Sequence, residues 1–139
     1  MLKKKKYNEA AVKRKLRAEA DRLWHIAGII KWGNQCIIDY CSLQVKSCHH
    51  YKPKGQYGFL RYDLDNAIPI CWPHHFRLEK ADNSLVAQIV IKRGRKWYEK
   101  MENKVRERPK GSFTTIKWYR ENIERLTRYI EENKRSVIQ

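Results

Sequence analysis

Acidic residues are scarce in this chain, and long apolar runs are missing altogether. Fifteen Asp and Glu stand against 31 Lys and Arg in 139 residues, a formal net charge of +16. The partner such a balance favours is a polyanion. No apolar stretch approaches the ~20 residues of a membrane span, and Lys3 to Lys6 lead into no signal-peptide core. A soluble protein of the cytoplasm is the expectation, with no membrane partner. Internal repeats are missing too, as are low-complexity tracts beyond the Lys-rich start. At this length a single domain is expected over 1–139, able to bury roughly two-thirds of its unfolded surface without disulfides.

What the chain does have is concentrated. Cys36, Cys41, Cys48 and Cys71 share the stretch 36 to 75 with His49, His50, His74 and His75, while that stretch carries only +1 of the net +16. Chemistry is expected in the centre and grip in the flanks. Val12, Leu16, Ala20, Leu23, Ala27 and Ile30 recur at steps of three and four. They mark one apolar face of a helix that Gly33 and Asn34 end. Its other faces carry Lys13, Arg14, Lys15, Arg17 and Arg22, nearly all of one sign where a merely solvated face alternates.

Residues 36 to 75 show no helical period and hold Pro53, Gly55, Gly58, Pro69 and Pro73. Tyr57, Phe59 and Leu60 to Tyr62 read as short extended pieces between these turns. Too few large aliphatics fall there to build a core, a shortage that a metal relieves. Beyond it come a helical turn through His75 to Lys80, a helix capped by Ser84 and interrupted by Gly94, and another over 95 to 107 stopped by Pro109 and Gly111. Ile116, Tyr119, Ile123, Leu126 and Ile130 then form a heptad seam. That seam either packs on the rest of the domain or joins two copies as a homodimer.

Four residues separate Cys36 from Cys41 and two separate Cys71 from His74, spacings that let two chain turns each offer two ligands to one Zn²⁺. The alternatives are two disulfides, which a cytoplasmic protein does not retain, or four free thiols. Cys48 is the spare: a small core residue, or the ligand that displaces Cys36. One histidine is usually structural, but two tandem pairs strain that reading. With His74 given to zinc, the order His49-His50, Asn66, His75 is that of the ββα-metal, or HNH, nucleases.

Residues Cys36 to Asn83 resemble the zinc-containing HNH nucleases. More closely, Cys41, His50-Tyr51, Lys54-Gly55, Leu60-Arg61-Tyr62-Asp63, Asn66, Cys71 and Gly94 resemble the phage NinG (Rap) recombination endonucleases over most of residues 32 to 130. The pattern departs from that family at Cys36-x4-Cys41, His49 and His74-His75; at His49 and His75 it is closer to the classical HNH arrangement. The resemblance implies an α+β, mostly helical fold. In it a small zinc-stapled ββα-metal unit (36–83) lies between a basic N-terminal helix (1–35) and C-terminal helices (84–139). It also implies cleavage of branched recombination DNA with Mg²⁺ or Mn²⁺, in the host cytoplasm where the gene is a phage's. His50 would be the general base, Asn66 the residue orienting it, and His49 and His75 the holders of the cation. Hydrolysis at pH 7 fits those types: a neutral imidazole of pKa near ~6.5 takes a proton from water, and an amide carbonyl fixes its tautomer.

Arg61 suits a phosphate clamp through its bidentate guanidinium, or else a salt bridge to Asp63 or Asp65. Glu79, one helical turn after His75, either joins the cation site or pairs with Arg77 or Lys80. Trp24, Trp32, Trp72, Trp97 and Trp118 read as core rather than stacking platforms, and His25 as a core histidine on the first helix. The rival readings are a non-catalytic zinc module that binds DNA and a sequence-reading HNH nicking or homing-type endonuclease. A junction enzyme answers to DNA shape, a homing enzyme to base contacts.

Overall fold

The structure, a computed structural model, describes residues 7–138; the Lys3 to Lys6 run lies outside them. Helix α1 (Glu9–Trp32) begins at Asn8, whose side chain accepts from the Ala11 amide at 3.1 Å. It ends at Gly33, where φ is 94° and the N–H returns to the Ile29 carbonyl. Its buried face is Ala20, Leu23, Trp24, Ala27 and Gly28.

Strands β1 (Cys48–His50) and β2 (Ala67–Pro69) pair antiparallel, with Cys48 opposite Pro69, His49 opposite Ile68 and His50 opposite Ala67. Helix α2 (Trp72–Glu79) follows almost at once. The extended pieces expected at Tyr57, Phe59 and Leu60 to Tyr62 do not form. Leu60 N–H bonds the Tyr57 carbonyl at 2.9 Å and Arg61 N–H the Gly58 carbonyl at 3.2 Å, so Gly58–Leu60 is a 3-10 turn, as is Leu64–Asn66. Helix α3 (Asn83–Arg93) is capped by Asp82 rather than Ser84, the carboxylate accepting from the Ser84 amide at 3.1 Å. A carboxylate two residues earlier outbids a hydroxyl for those amides. Gly94, at φ 92°, separates α3 from α4 (Arg95–Arg106), and α5 (Ile116–Ile138) closes the chain.

Two cores form on either side of residues 60 to 71. Leu60, Ile68, Ile70 and Cys71 pack with Leu85, Ile89, Trp97 and Met101 from α3 and α4. Tyr62, Leu64 and Ala67 pack with α1 and with Tyr119 and Leu126 of α5. Tyr119, Ile123, Leu126 and Ile130 of the α5 seam thus pack with α1 of the same chain. The product is mostly helical with one two-stranded sheet, and no helix of the described residues is long and apolar enough to cross a membrane.

The segment between the cores is fixed through its backbone. Eight consecutive carbonyls each accept a hydrogen bond from outside their own turn. Leu60 receives the Asn66 amide (3.2 Å), Arg61 the His50 ring (2.9 Å), Tyr62 Arg125 (2.6 Å) and Asp63 the Trp24 indole (2.9 Å). Leu64 receives Trp32 (2.8 Å), Asp65 Trp97 (2.8 Å), Asn66 the Tyr51 amide (3.0 Å) and Ala67 Arg93 (2.7 Å). A chain this turn-rich has few ladder partners, and buried carbonyls must find others.

Candidate metal centre and histidine cleft

Cys71 is the N-cap of α2 and His74 lies in its first turn, so the two face the same side beside the positive end of the helix dipole. The Cys36 to Cys41 turn closes onto them. Cys41 N–H bonds the Ile38 carbonyl at 3.1 Å, and Tyr40 takes a left-handed φ of 64° to make the corner. His74 Nδ1 lies 3.0 Å from Cys71 Sγ and 3.5 Å from Cys36 Sγ, and the Cys41 and Cys71 sulfurs are 3.9 Å apart. Among the described residues this is the one group of three or more His, Cys, Asp or Glu whose ligand atoms converge, all within 4.8 Å. A tetrahedral ion with metal–sulfur distances of about 2.3 Å and a metal–nitrogen distance of about 2.0 Å sets its ligands about 3.5–3.8 Å apart. The four residues therefore fit a metal ion. Burial pushes the Cys36 thiol up to about 11, so its thiolate needs a cation beside it.

Cys48 is not part of this group. Its sulfur packs against α1, where a Cβ on Gly28 would come within 2.8 Å of it, and burial lifts its pKa to about 12. It is a core residue.

The other histidines meet in a cleft beside β1. His25, Cys48, His49, His50, Pro53, Lys54, Gly55, His75 and Glu79 line this cleft of about 390 Å³. His49 and His75 approach edge to face with ring centroids 4.9 Å apart, and His75 Nε2 lies 3.6 Å from a Glu79 carboxylate oxygen. These three do not converge as tightly as the cysteine group. Two imidazoles and a carboxylate remain a donor set that divalent cations accept.

His50 stacks on Trp24, the rings 3.9 Å apart and 7° from parallel. Its Nε2–H donates to the Arg61 carbonyl at 2.9 Å. A carbonyl only accepts, so the proton must sit on Nε2 and the lone pair on Nδ1. Burial drives the His50 pKa down to about 3, against the pull of that hydrogen bond, and Lys54, His25 and His49 add to the fall. His49 is likewise lowered, to about 4, by burial and then by His75.

The hydrogen bonds of the Asn66 side chain go elsewhere than to the His50 ring. It is fully buried, its Oδ1 accepting from the Lys52 amide at 2.6 Å while its Nδ2 donates to the Lys52 and Leu60 carbonyls. The orientation expected of Asn66 is supplied by the Arg61 carbonyl, and Asn66 instead ties the loop after β1 to the turn before β2. Nor is the Arg61 guanidinium free for phosphate: it grips Asp21 of α1 at 2.9 and 2.8 Å, not Asp63 or Asp65. Those two acids are taken by Lys104, and Asp65 also by Lys31 and Lys100.

His25, a core residue by its sequence position, lines the cleft. Its Nδ1 accepts the Cys48 amide at 3.0 Å, which leaves the proton on Nε2. Its position 23 residues before β1 hides this role in the sequence, although its place beside the buried Trp24 put it on the right face. Trp72 is the opposite case, 74% exposed instead of core. On α2 it lies about 160° around from His74, so the turn that points His74 at the cysteines points Trp72 away. No family model, no curated protein and no solved structure matches this chain.

Proposed function

We propose that this protein is a divalent-metal-dependent DNA endonuclease of the HNH kind, with branched DNA as its preferred substrate and one Zn²⁺ on Cys36, Cys41, Cys71 and His74 as its structural staple. The observation that carries the reading is the cleft in which β1 and α2 bring together His49, His50 and His75. His50 is held neutral with Nδ1 unprotonated, the form a general base needs. A phosphodiester entering the cleft adds negative charge beside the ring and raises its pKa toward the working pH, which strengthens it as a base. The proton of the attacking water then passes to Nδ1. His49 and His75, with Glu79 beside them, would hold Mg²⁺ or Mn²⁺, which supplies charge to the phosphate and the departing 3′ oxygen. Lys54 at the rim adds a cation for the substrate backbone. The preference for branches rests on the resemblance to the NinG endonucleases.

The test is a panel of labelled linear, flap and four-way DNA substrates with and without Mg²⁺ or Mn²⁺. Wild type is expected to cut the branched members in a metal-dependent manner. His50→Ala should bind them but cut slower by a factor on the order of 10² to 10⁴. The His75→Ala defect should be partly recovered by more metal, and the His50→Ala defect should not. A second reading, a zinc-stapled DNA-binding module without catalysis, is favoured by the internal engagement of Arg61 and Asn66 and by the looser spacing of His49, His75 and Glu79. No cutting with any cation would leave it standing.

A further inference from the structure

We propose that Trp72 and Phe76 form a platform on which an unpaired nucleobase of the substrate stacks beside the histidine cleft; this rests on the DNA reading above. Trp72 is 74% and Phe76 45% exposed, and α2 buries no residue, so the two rings contribute nothing to either core. They stack on each other instead, centroids 5.5 Å apart and planes 17° from parallel. Lys80 Nζ stands 5.3 Å from the Phe76 ring. A cation and two near-parallel rings at steps of four along one helix thus make a short ladder. Its position is set by α2 itself. At 100° per residue, Trp72 lies about 60° around from His75, and Phe76 about 60° from Glu79, so the ladder borders the two α2 residues that line the cleft.

The occupant follows from the shape and the charge. Two rings flanked by Glu79 and Lys80 are too small and too charged for a stable protein interface, which needs about 1,000 Å² or more. A flat ring offers its face to any base, and the chain's net charge of +16 favours a polyanionic strand. In a duplex both faces of each base are already covered by neighbours. Only a base freed at a branch, flap or single-stranded end can extend this stack, so the platform would favour such structures without reading their sequence.

The experiment measures binding without Mg²⁺ or Mn²⁺, so that it is independent of cleavage. It compares the zinc-replete full chain with three fluorescent probes: a fully paired duplex, the same duplex with a short single-stranded flap, and that flap made abasic. Trp72→Ala should lose about five- to a hundredfold in affinity for the flap while staying within about twofold on the duplex. The abasic flap should erase the difference between variant and wild type. Trp72→Phe should retain most of the affinity and Phe76→Ala should lose less than Trp72→Ala. Equal flap binding by Trp72→Ala and wild type, or equal losses on all three probes, would overturn the platform. So would a wild-type dimer that Trp72→Ala dissolves, because the rings would then serve self-association. Wild type that discriminates the flap yet cuts nothing with metal would overturn the nuclease and leave the platform standing.

Discussion

His50 owes its chemistry to its surroundings: Trp24 desolvates one face of the ring and the Arg61 carbonyl claims its only proton. The folded pKa near 3 lies below the ordinary value of about 6.5. Below pH 6.5 the unfolded chain therefore takes up a proton that the folded ring refuses. The stability this neutral ring contributes is full above pH 6.5 and drains as pH falls toward 3, at up to about 1.4 kcal/mol per pH unit. In urea melts, His50→Phe should lose stability less steeply than wild type between pH 6.5 and 4. An unchanged slope would mean the ring titrates normally. Asn66→Ala tests a different role, since it strips the Lys52 amide and carbonyl of their partner; a loss of about 2–4 kcal/mol is expected. The tandem histidines were visible in the sequence because two pairs are improbable as core. The Arg61 to Asp21 grip was not, since forty residues and a helix packing decide it.

At the scale of elements, the metal turn and α1 each adjoin the elements that carry the cleft: α2 holds both His74 and His75, and α1 packs on the sheet. Cys36 and Cys41 reach Cys71 and His74 from a turn that joins the first core through Cys36 and Ile38 but has no helix or strand to hold it, so metal binding there adds folding energy to the turn and α2. Elemental analysis should give close to one zinc per chain. Chelation or Cys71→Ser should open amides of residues 36–43 and α2 to hydrogen exchange before those of α1 and α5, which share the second core. Simultaneous opening would show that the metal supports the whole fold. Helix α1 lies so close to the sheet that a methyl on Gly28 would sit 2.8 Å from Cys48 Sγ and 3.0 Å from Ala67 Cβ. Gly28→Ala should cost a net 1–2 kcal/mol or so in a denaturant melt, because overpacking outweighs the helix-propensity gain. The helices were legible from their apolar period and their glycine stops. Strands of three residues carry no period, and β2 is held by bonds to its Ala67 and Pro69 carbonyls from Arg93 and the Ile37 amide, which the sequence does not show.

Across the whole molecule, part of the scarce acid is used in contacts between elements. Asp21, Asp63, Asp65 and Glu102 are engaged by Arg61, Lys104, Lys31, Lys100 and Lys52 in contacts that tie α1, the loops and α4 together. Acid spent in this way cannot mask the remaining bases from a partner in solution. Arg14, Lys15 and Arg17 are all exposed on α1, and pairing within this helix engages Lys13 and Arg22 with Glu9 and Glu19. A DNA strand reaching that surface would release a condensed counterion for each phosphate it neutralises there, so log affinity falls with log salt in proportion to the contacts made. Replacing Arg14, Lys15 and Arg17 together with Gln leaves the buried face of α1 untouched. For branched DNA titrated across a salt series, the triple variant should lower the magnitude of the slope by about 1 to 3, according to how many of the three meet phosphate. An unchanged slope with unchanged affinity would place the DNA elsewhere and make this face a solvated one. A slope lowered equally for paired duplex and for flap would separate this non-selective grip from the selective contact at Trp72.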